Sequence, residues 1–196
     1  MKSILFLALV FVATSCSPNL NKSYVTLNPT ILIKKSDIGN DAKVKLSVKK
    51  ISSQGFPYDN KQIGYKVRKT GFYGHDKTAI YSNKKLTDVI SSEFTEWLNQ
   101  NKFKISSEKY NKEIKLKLGY FSFQPVGIGV QPKIRAAIKV NVFNGKEEVF
   151  SKWYYHERDY DKIAPVLNEQ SINNSLEVIL EEIFNDDNFI YSISKV

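Results

Sequence analysis

Residues 134–155, IRAAIKVNVFNGKEEVFSKWYY, set the architecture of this chain. Ile134, Ala136, Ile138, Val140 and Val142 recur at every second position, which is the period of a strand with one buried face. Asn144-Gly145 follows, the strongest short-range hairpin signal in the sequence, because tight hairpin turns need residues that tolerate positive φ. The chain then returns through 149–155, so an antiparallel pair is specified locally.

The same period recurs on both sides of this hairpin. Residues 113–123 place Ile114, Leu116, Leu118 and Tyr120 opposite Lys115 and Lys117. Residues 43–51 place Val44, Leu46 and Val48 on one face and Lys43, Lys45, Ser47 and Lys49 on the other, a half-buried strand. Ile63, Tyr65 and Val67 make another strand with Lys66 and Arg68 outward, and 78–81 a short one. Residues 24–33, YVTLNPTILI, alternate too, but Pro29 cannot donate to a ladder, so this is an edge strand or an extended arm. Turn residues mark loops at 36–41, 52–60, 70–76 and 125–132.

Two segments change period. Leu86, Val89, Ile90, Phe94, Trp97 and Leu98 recur at three- and four-residue steps, a stripe wide enough to bury one side of a helix. Ser82 or Asn83 is its expected N-cap, and Lys102 lies near the negative end of its dipole. A second helix is expected near 169–185, with Ile172, Leu176, Ile179, Leu180 and Ile183 on one face. The order of strands, helix, strands and helix predicts an α+β fold: a mainly antiparallel β-sheet with two helices packed on one face, a two-layer sandwich whose other face carries the lysines into water.

The N-terminus speaks to location. Met1-Lys2 is a short positive start, residues 4–13 (ILFLALVFVA) carry no polar group, and Ala13-Thr14-Ser15 leads to Cys16. This is the layout of a secretory signal. Ten apolar residues are too few to cross a ~30 Å hydrocarbon core as a helix. Cys16 is the only cysteine, so it has no disulfide partner, and its place after small residues resembles a bacterial lipobox. That resemblance implies lipidation (palmitate among the acyl groups) of Cys16 as residue one of the mature protein. Ser17 follows in place of the Asp that resembles an inner-membrane retention signal, which favours the outer membrane. The expected organisation is a lipoprotein signal peptide over 1–15, a lipidated N-terminus and tether over 16–23, and a single α+β domain over 24–196.

Composition restricts the partners. At 42% hydrophobic and 13% aromatic, the chain has enough apolar mass for a core. Its formal charge of +9 bears on partners rather than on fold. Anionic lipid headgroups and acidic envelope polymers fit an exported basic protein; nucleic acid does not. Lys43, Lys45, Lys49, Lys66, Arg68, Lys115 and Lys117 are the candidate residues for binding such an anionic surface. Strand lysines also solubilise a sheet and guard its edges.

Catalytic patterns fall away one by one. Gly127-Ile128-Gly129 lacks the third glycine of a dinucleotide fingerprint and sits between Pro125 and Pro132. His156-Glu157-Arg158-Asp159 with Asp161 gathers imidazole and carboxylates, but alternation puts His156 and Arg158 on one face and Glu157 and Asp159 on the other. His75, the only other histidine, lies in a distant loop. No serine sits in a nucleophile-elbow pattern. Glu181-Glu182 and Asp186-Asp187 read as a solvated face at and just beyond the second helix. No metal-ligand spacing and no cofactor motif is present in the sequence. Trp153, Tyr154, Tyr155 and Tyr160 beside His156 and Arg158 have the composition to stack on sugars or bases, or to fill both faces of a strand.

Taken together, the lipobox cysteine, YVTLNPTILI at 24–33, KVKLSVKKI at 43–51, the helix LTDVISSEFTEWLNQNKF, the strands KEIKLKLGYFSF and KIRAAIKVNVFNGKE, and the closing helix resemble the YajG-like family of small bacterial lipoproteins. Where that family often carries Asp-x-Arg after its first domain strand, this chain has Lys50-Ile51-Ser52-Ser53. The resemblance implies an outer-membrane, periplasm-facing lipoprotein. The expected function is a non-catalytic binding or assembly accessory in the cell envelope, with another envelope protein as a further candidate partner. The alternative is an envelope polymer hydrolase using the His156 region.

Overall fold

The computed structural model describes residues 23–31, 37–40, 42–50, 61–70, 74–124, 133–159 and 169–194. Its strands are β1 (Ser23–Val25), β2 (Lys43–Lys50), β3 (Gln62–Thr70), β4 (Gly74–Ser82), β5 (Lys104–Ile105), β6 (Lys112–Gln124), β7 (Lys133–Asn144) and β8 (Glu147–Asp159). Its helices are α1 (Leu86–Gln100), α2 (Glu169–Phe184) and α3 (Asp187–Ser194). The α+β sandwich expected from the sequence is the architecture observed. Its sheet layer is divided, with a five-stranded sheet in the order β5-β2-β6-β7-β8 and a three-stranded sheet in the order β1-β4-β3.

The three longest ladders, β7–β8, β6–β7 and β3–β4, are antiparallel, whereas β2–β6, β2–β5 and β1–β4 are parallel. A parallel pair needs a long crossover. Between β2 and β6 the chain inserts the β3–β4 pair, α1 and β5, which is why local turn signals did not reveal it.

The β7–β8 hairpin forms where the sequence placed it, with one shift. Asn144 pairs with Glu147, so the two turn residues are Gly145 and Lys146. Of these, Gly145 alone has positive φ, at 61°, the φ signature of a type II′ turn with glycine first. In β6 the alternation expected to run through Tyr120 breaks at a bulge between Leu118 and Phe121. Phe121 and Phe123 then take register positions opposite Ala136 and Ile134.

All six residues of the α1 stripe are buried, as are the five expected on α2. They pack with Ile114, Leu116 and Leu118 of β6 and Ile134, Ala136, Ile138, Val140 and Val142 of β7 in one continuous core. At its centre Trp97 stacks on Phe184 at 5.0 Å and 6°, and Phe94 meets Phe184 edge-on at 4.9 Å. α3 lies beyond the helix expected near 169–185, where the sequence reading placed no element, and it sends Phe189 and Ile193 into the same core.

Three boundaries differ from expectation. The residue before α1 is Lys85, without a side-chain cap. Asn83 Oδ1 instead accepts from the Leu27 and Lys84 N–H groups, and Ser82 Oγ donates to the Lys61 and Lys84 carbonyls. Strand β4 begins at Gly74, inside the loop expected over 70–76. At the end of α1, Lys102 N–H donates to Asn99 O and Phe103 N–H to Leu98 O, a Schellman closure with Lys102 at φ 63°.

Beyond β1 the chain continues as an arm along α2. Thr26 N–H donates to Glu169 Oε2 (2.7 Å), Asn28 N–H to Asn173 Oδ1 (2.9 Å) and Thr30 N–H to Glu177 Oε1 (2.7 Å). Asn173 Nδ2 also donates to Thr26 O at 3.0 Å. The spacing matches because four helical residues rise about 6 Å and two extended residues about 6.6 Å. Val25, Leu27 and Pro29, on the alternate positions, are buried. The arm is thus held by side chains where Pro29 forbids a ladder.

Candidate functional site

The face of the five-stranded sheet turned away from the helices carries five of the seven basic candidates. Register fixes their neighbours. Lys45 lies opposite Glu113, Ser47 opposite Lys115, and Lys49 opposite Lys117. Across the next pairing Lys115 faces Asn141 and Lys117 faces Lys139, and Lys139 in turn faces Trp153 of β8. Lys49, Lys117 and Lys139 therefore form one row of directly opposed cations across β2, β6 and β7. Like charges in such positions destabilise a sheet.

Glu113 divides this face electrostatically. Its two carboxylate oxygens hold Lys45 and Lys115, each at 3.1 Å. Burial pushes the Glu113 carboxyl up, but the hydrogen bonds from Lys115 and Lys45 outweigh it and hold it below the usual range. The hydrogen bond and charge of Glu113 raise Lys45 in turn. Lys45 also lies 5.1 Å from the Tyr110 ring centre and Lys115 4.3 Å from that of Phe143. These two lysines are engaged within the protein. Among the described residues, no carboxylate pairs with Lys49, Lys117 or Lys139.

At the β8 end the row meets an aromatic pair. Trp153 and Tyr155 have centroids 5.8 Å apart and planes 24° apart. A Cβ on Gly119 would come within 2.7 Å of Trp153 Cζ3 and 3.3 Å of the Ala137 Cβ. The indole thus reaches from β8 across Ala137 to β6 and rests on a floor of two small residues. Glycine inside a strand often marks such a close approach.

Of the seven basic candidates, Lys43, Lys45, Lys49, Lys115 and Lys117 share this face. Lys43 lies at its β5 border, opposite Lys104. Lys66 and Arg68 belong to β3 of the smaller sheet, opposite Thr78 and Asp76, and their side chains are outside those described. Lys139 was missed. Period two places it outward in a strand already recognised, but only the β6–β7 register shows it completing the row. Cys16 and the Gly127–Gly129 loop lie outside the described residues.

Beside His156, Glu157 serves structure; the Asp159 side chain and Asp161 lie outside the described residues. Glu157 Oε2 accepts from Arg135 Nε at 2.7 Å, while His156 lies opposite Ala136 on the other face. His75 sits on β4 opposite Lys69, in a strand rather than the loop expected. Asp186 is no member of a solvated face: Oδ1 accepts from the Asn188 and Phe189 N–H groups, capping α3, and Oδ2 accepts from Lys152 (2.7 Å) and Tyr154 (2.9 Å). Burial pushes Asp186 up, and these hydrogen bonds more than reverse it, holding its carboxyl below the usual range. Burial, then the bond to Asp186, drives the Tyr154 phenol far above its ordinary value. Among the described residues, no three His, Cys, Asp or Glu side chains are placed to hold a metal ion. No helix among them is long and apolar enough to cross a membrane.

No family model and no curated protein matches the chain. Solved structures do. A Xanthomonas campestris protein of family DUF330 matches over 89% of this chain and 95% of its own, with TM-score 0.56 and 8% identity. A hypothetical protein of Chlamydia trachomatis matches over 79% and 96% (TM-score 0.44, 8% identity). A minor lipoprotein of Acinetobacter baumannii matches over 78% and 94% (TM-score 0.41, 11% identity). The likeness to the Xanthomonas protein, at 8% identity, is one of fold alone. The YajG-like resemblance rests on the sequence alone.

Proposed function

We propose that this chain is a lipid-anchored protein of the bacterial cell envelope, held to the outer membrane by Cys16 and facing the periplasm. It acts by binding, as a non-catalytic accessory, and its working surface is the outer face of the five-stranded sheet, offered to a polyanionic partner. The single observation that carries this reading is the Lys49–Lys117–Lys139 row, three directly opposed cations kept together against their repulsion. An anionic ligand removes that repulsion on binding. The secretory layout ending in Cys16 supports the anchor. The commitment of Glu157 to Arg135 and of Asp186 to the α3 cap supports binding over hydrolysis, because neither carboxylate is left to serve as an acid or base.

Two measurements test the reading. Fractionated cells should hold the wild type in outer membrane, and Cys16→Ala as soluble or unprocessed protein; an unmodified Cys16 thiol in native protein would refute the anchor. On a polyanion resin, the triple variant Lys49→Gln/Lys117→Gln/Lys139→Gln should elute at clearly lower salt than Lys45→Gln/Lys115→Gln. Equal elution would refute the row as the working surface.

A further inference from the structure

Resting on that reading, we infer that the ligand of the outer face is a linear acidic polysaccharide, with one sugar ring on the Trp153–Tyr155 pair and the acid groups of successive sugars along Lys139, Lys117 and Lys49. Charge alone does not select this class; the aromatic pair does. Because the Trp153 indole reaches over to Gly119 on β6, it lies along the sheet in place of projecting from it. Aromatic surface laid along a sheet suits the apolar face of a sugar ring. Insertion between lipid tails calls for a protruding apolar wedge. Tyr155, 58% exposed, stacks on the indole with planes 24° apart and adds a second ring to the aromatic surface along β8.

The cations lie beside this aromatic surface. Trp153 and Lys139 are register partners, and from there the row runs perpendicular to the strands with about 4.8 Å between strands. An extended polymer crossing the sheet meets three ammonium groups in sequence, with the aromatic surface alongside Lys139 and Lys117. Glu113 sharpens the arrangement by neutralising Lys45 and Lys115, the two cations on β2 and β6 that lie next to this row. Strand-centre Gly119 fits the same purpose: any side chain there would lift the indole off its floor.

The chain contains two tryptophans, and Trp97 is buried in the core, so Trp153 emission reports directly on the platform. The full chain in neutral detergent is titrated with polygalacturonate, neutral dextran, phosphatidylglycerol vesicles and a single-stranded oligothymidylate. Polygalacturonate should quench Trp153 emission, and Trp153→Ala should weaken its binding at least about tenfold while the lysine-row triple variant abolishes it. Dextran should not bind. Trp153→Ala is read beside its thermal unfolding, and Tyr155→Ala supplies a second, more exposed probe of the platform. Polygalacturonate binding unchanged by both aromatic variants, or vesicles or oligothymidylate bound as tightly with the same dependence on Trp153, would overturn the polysaccharide and leave the polyanion face standing. Absence of binding to every polyanion would overturn both.

Discussion

Lys102 holds φ at 63° to close α1, a conformation in which an L side chain crowds the neighbouring carbonyl. Its side chain is exposed and makes no interaction recorded among the described residues that would require lysine there. Lys102→Gly should therefore stabilise the protein by about 1 kcal/mol, raising the melting temperature by about 2–4 °C. A lowered melting temperature would show that the lysine contributes something the backbone geometry does not reveal. The same corner makes the opposite demand of Gly39. Its N–H donates to Asn101 O at 2.9 Å, and a Cβ would fall 2.7 Å from that oxygen and from Lys102 C. Gly39→Ala should cost about 2 kcal/mol or more in urea unfolding, because the opposing atoms are backbone and cannot swing aside. Neither residue was legible beforehand: a lysine gives no sign of left-handed backbone, and a glycine in a turn does not reveal what it touches.

Helix α3 illustrates what an element needs beyond periodicity. Asn185-Asp186-Asp187-Asn188 reads as the polar end of α2, yet Asp186 there starts a new helix while binding Tyr154 and Lys152 of β8. The strands and the long helices were legible because burial on one face writes a period of two into eight or more strand residues and a period near 3.6 into fifteen or more helical ones. A helix of eight residues, separated from the one before it by only two residues, has too little sequence to write one. The parallel β2–β6 pairing, and with it the adjacency of Lys49 and Lys117, depends on contacts about seventy positions apart that no local pattern encodes. Asp186 carries a testable consequence. Its side chain is 7% exposed, so Asp186→Ala leaves Tyr154 and two N–H groups without an acceptor and should destabilise by about 3 kcal/mol. Its pH dependence follows from a folded-state carboxyl held below the usual 3.8. A depressed acid contributes stability that is present above its unfolded value and lost as pH falls through the folded one. Wild-type stability should accordingly decline below about pH 4, and Asp186→Asn should flatten that acid limb. A variant with an unchanged acid limb would assign the decline to other carboxylates.

Across the whole molecule, the arm from Thr26 to Thr30 joins the N-terminal segment to α2 through the Glu169, Asn173 and Glu177 side chains. Asn173 both accepts and donates in this join, so Asn173→Ala should cost about 2 kcal/mol and speed proteolysis within the arm; unchanged cleavage there would mean that Leu27 and Pro29 hold it unaided. The geometry also has a mechanical meaning. The arm runs in the same direction as α2, and its hydrogen bonds lie across its length. Tension applied along the arm from its N-terminal end loads those bonds in shear, all at once, and they must fail together. Tension applied perpendicular to it peels them singly, beginning at β1. A tethered molecule with this joint resists a pull in line with α2 and yields to one from the side, so the orientation of α2 relative to the tether sets how much force the fold withstands.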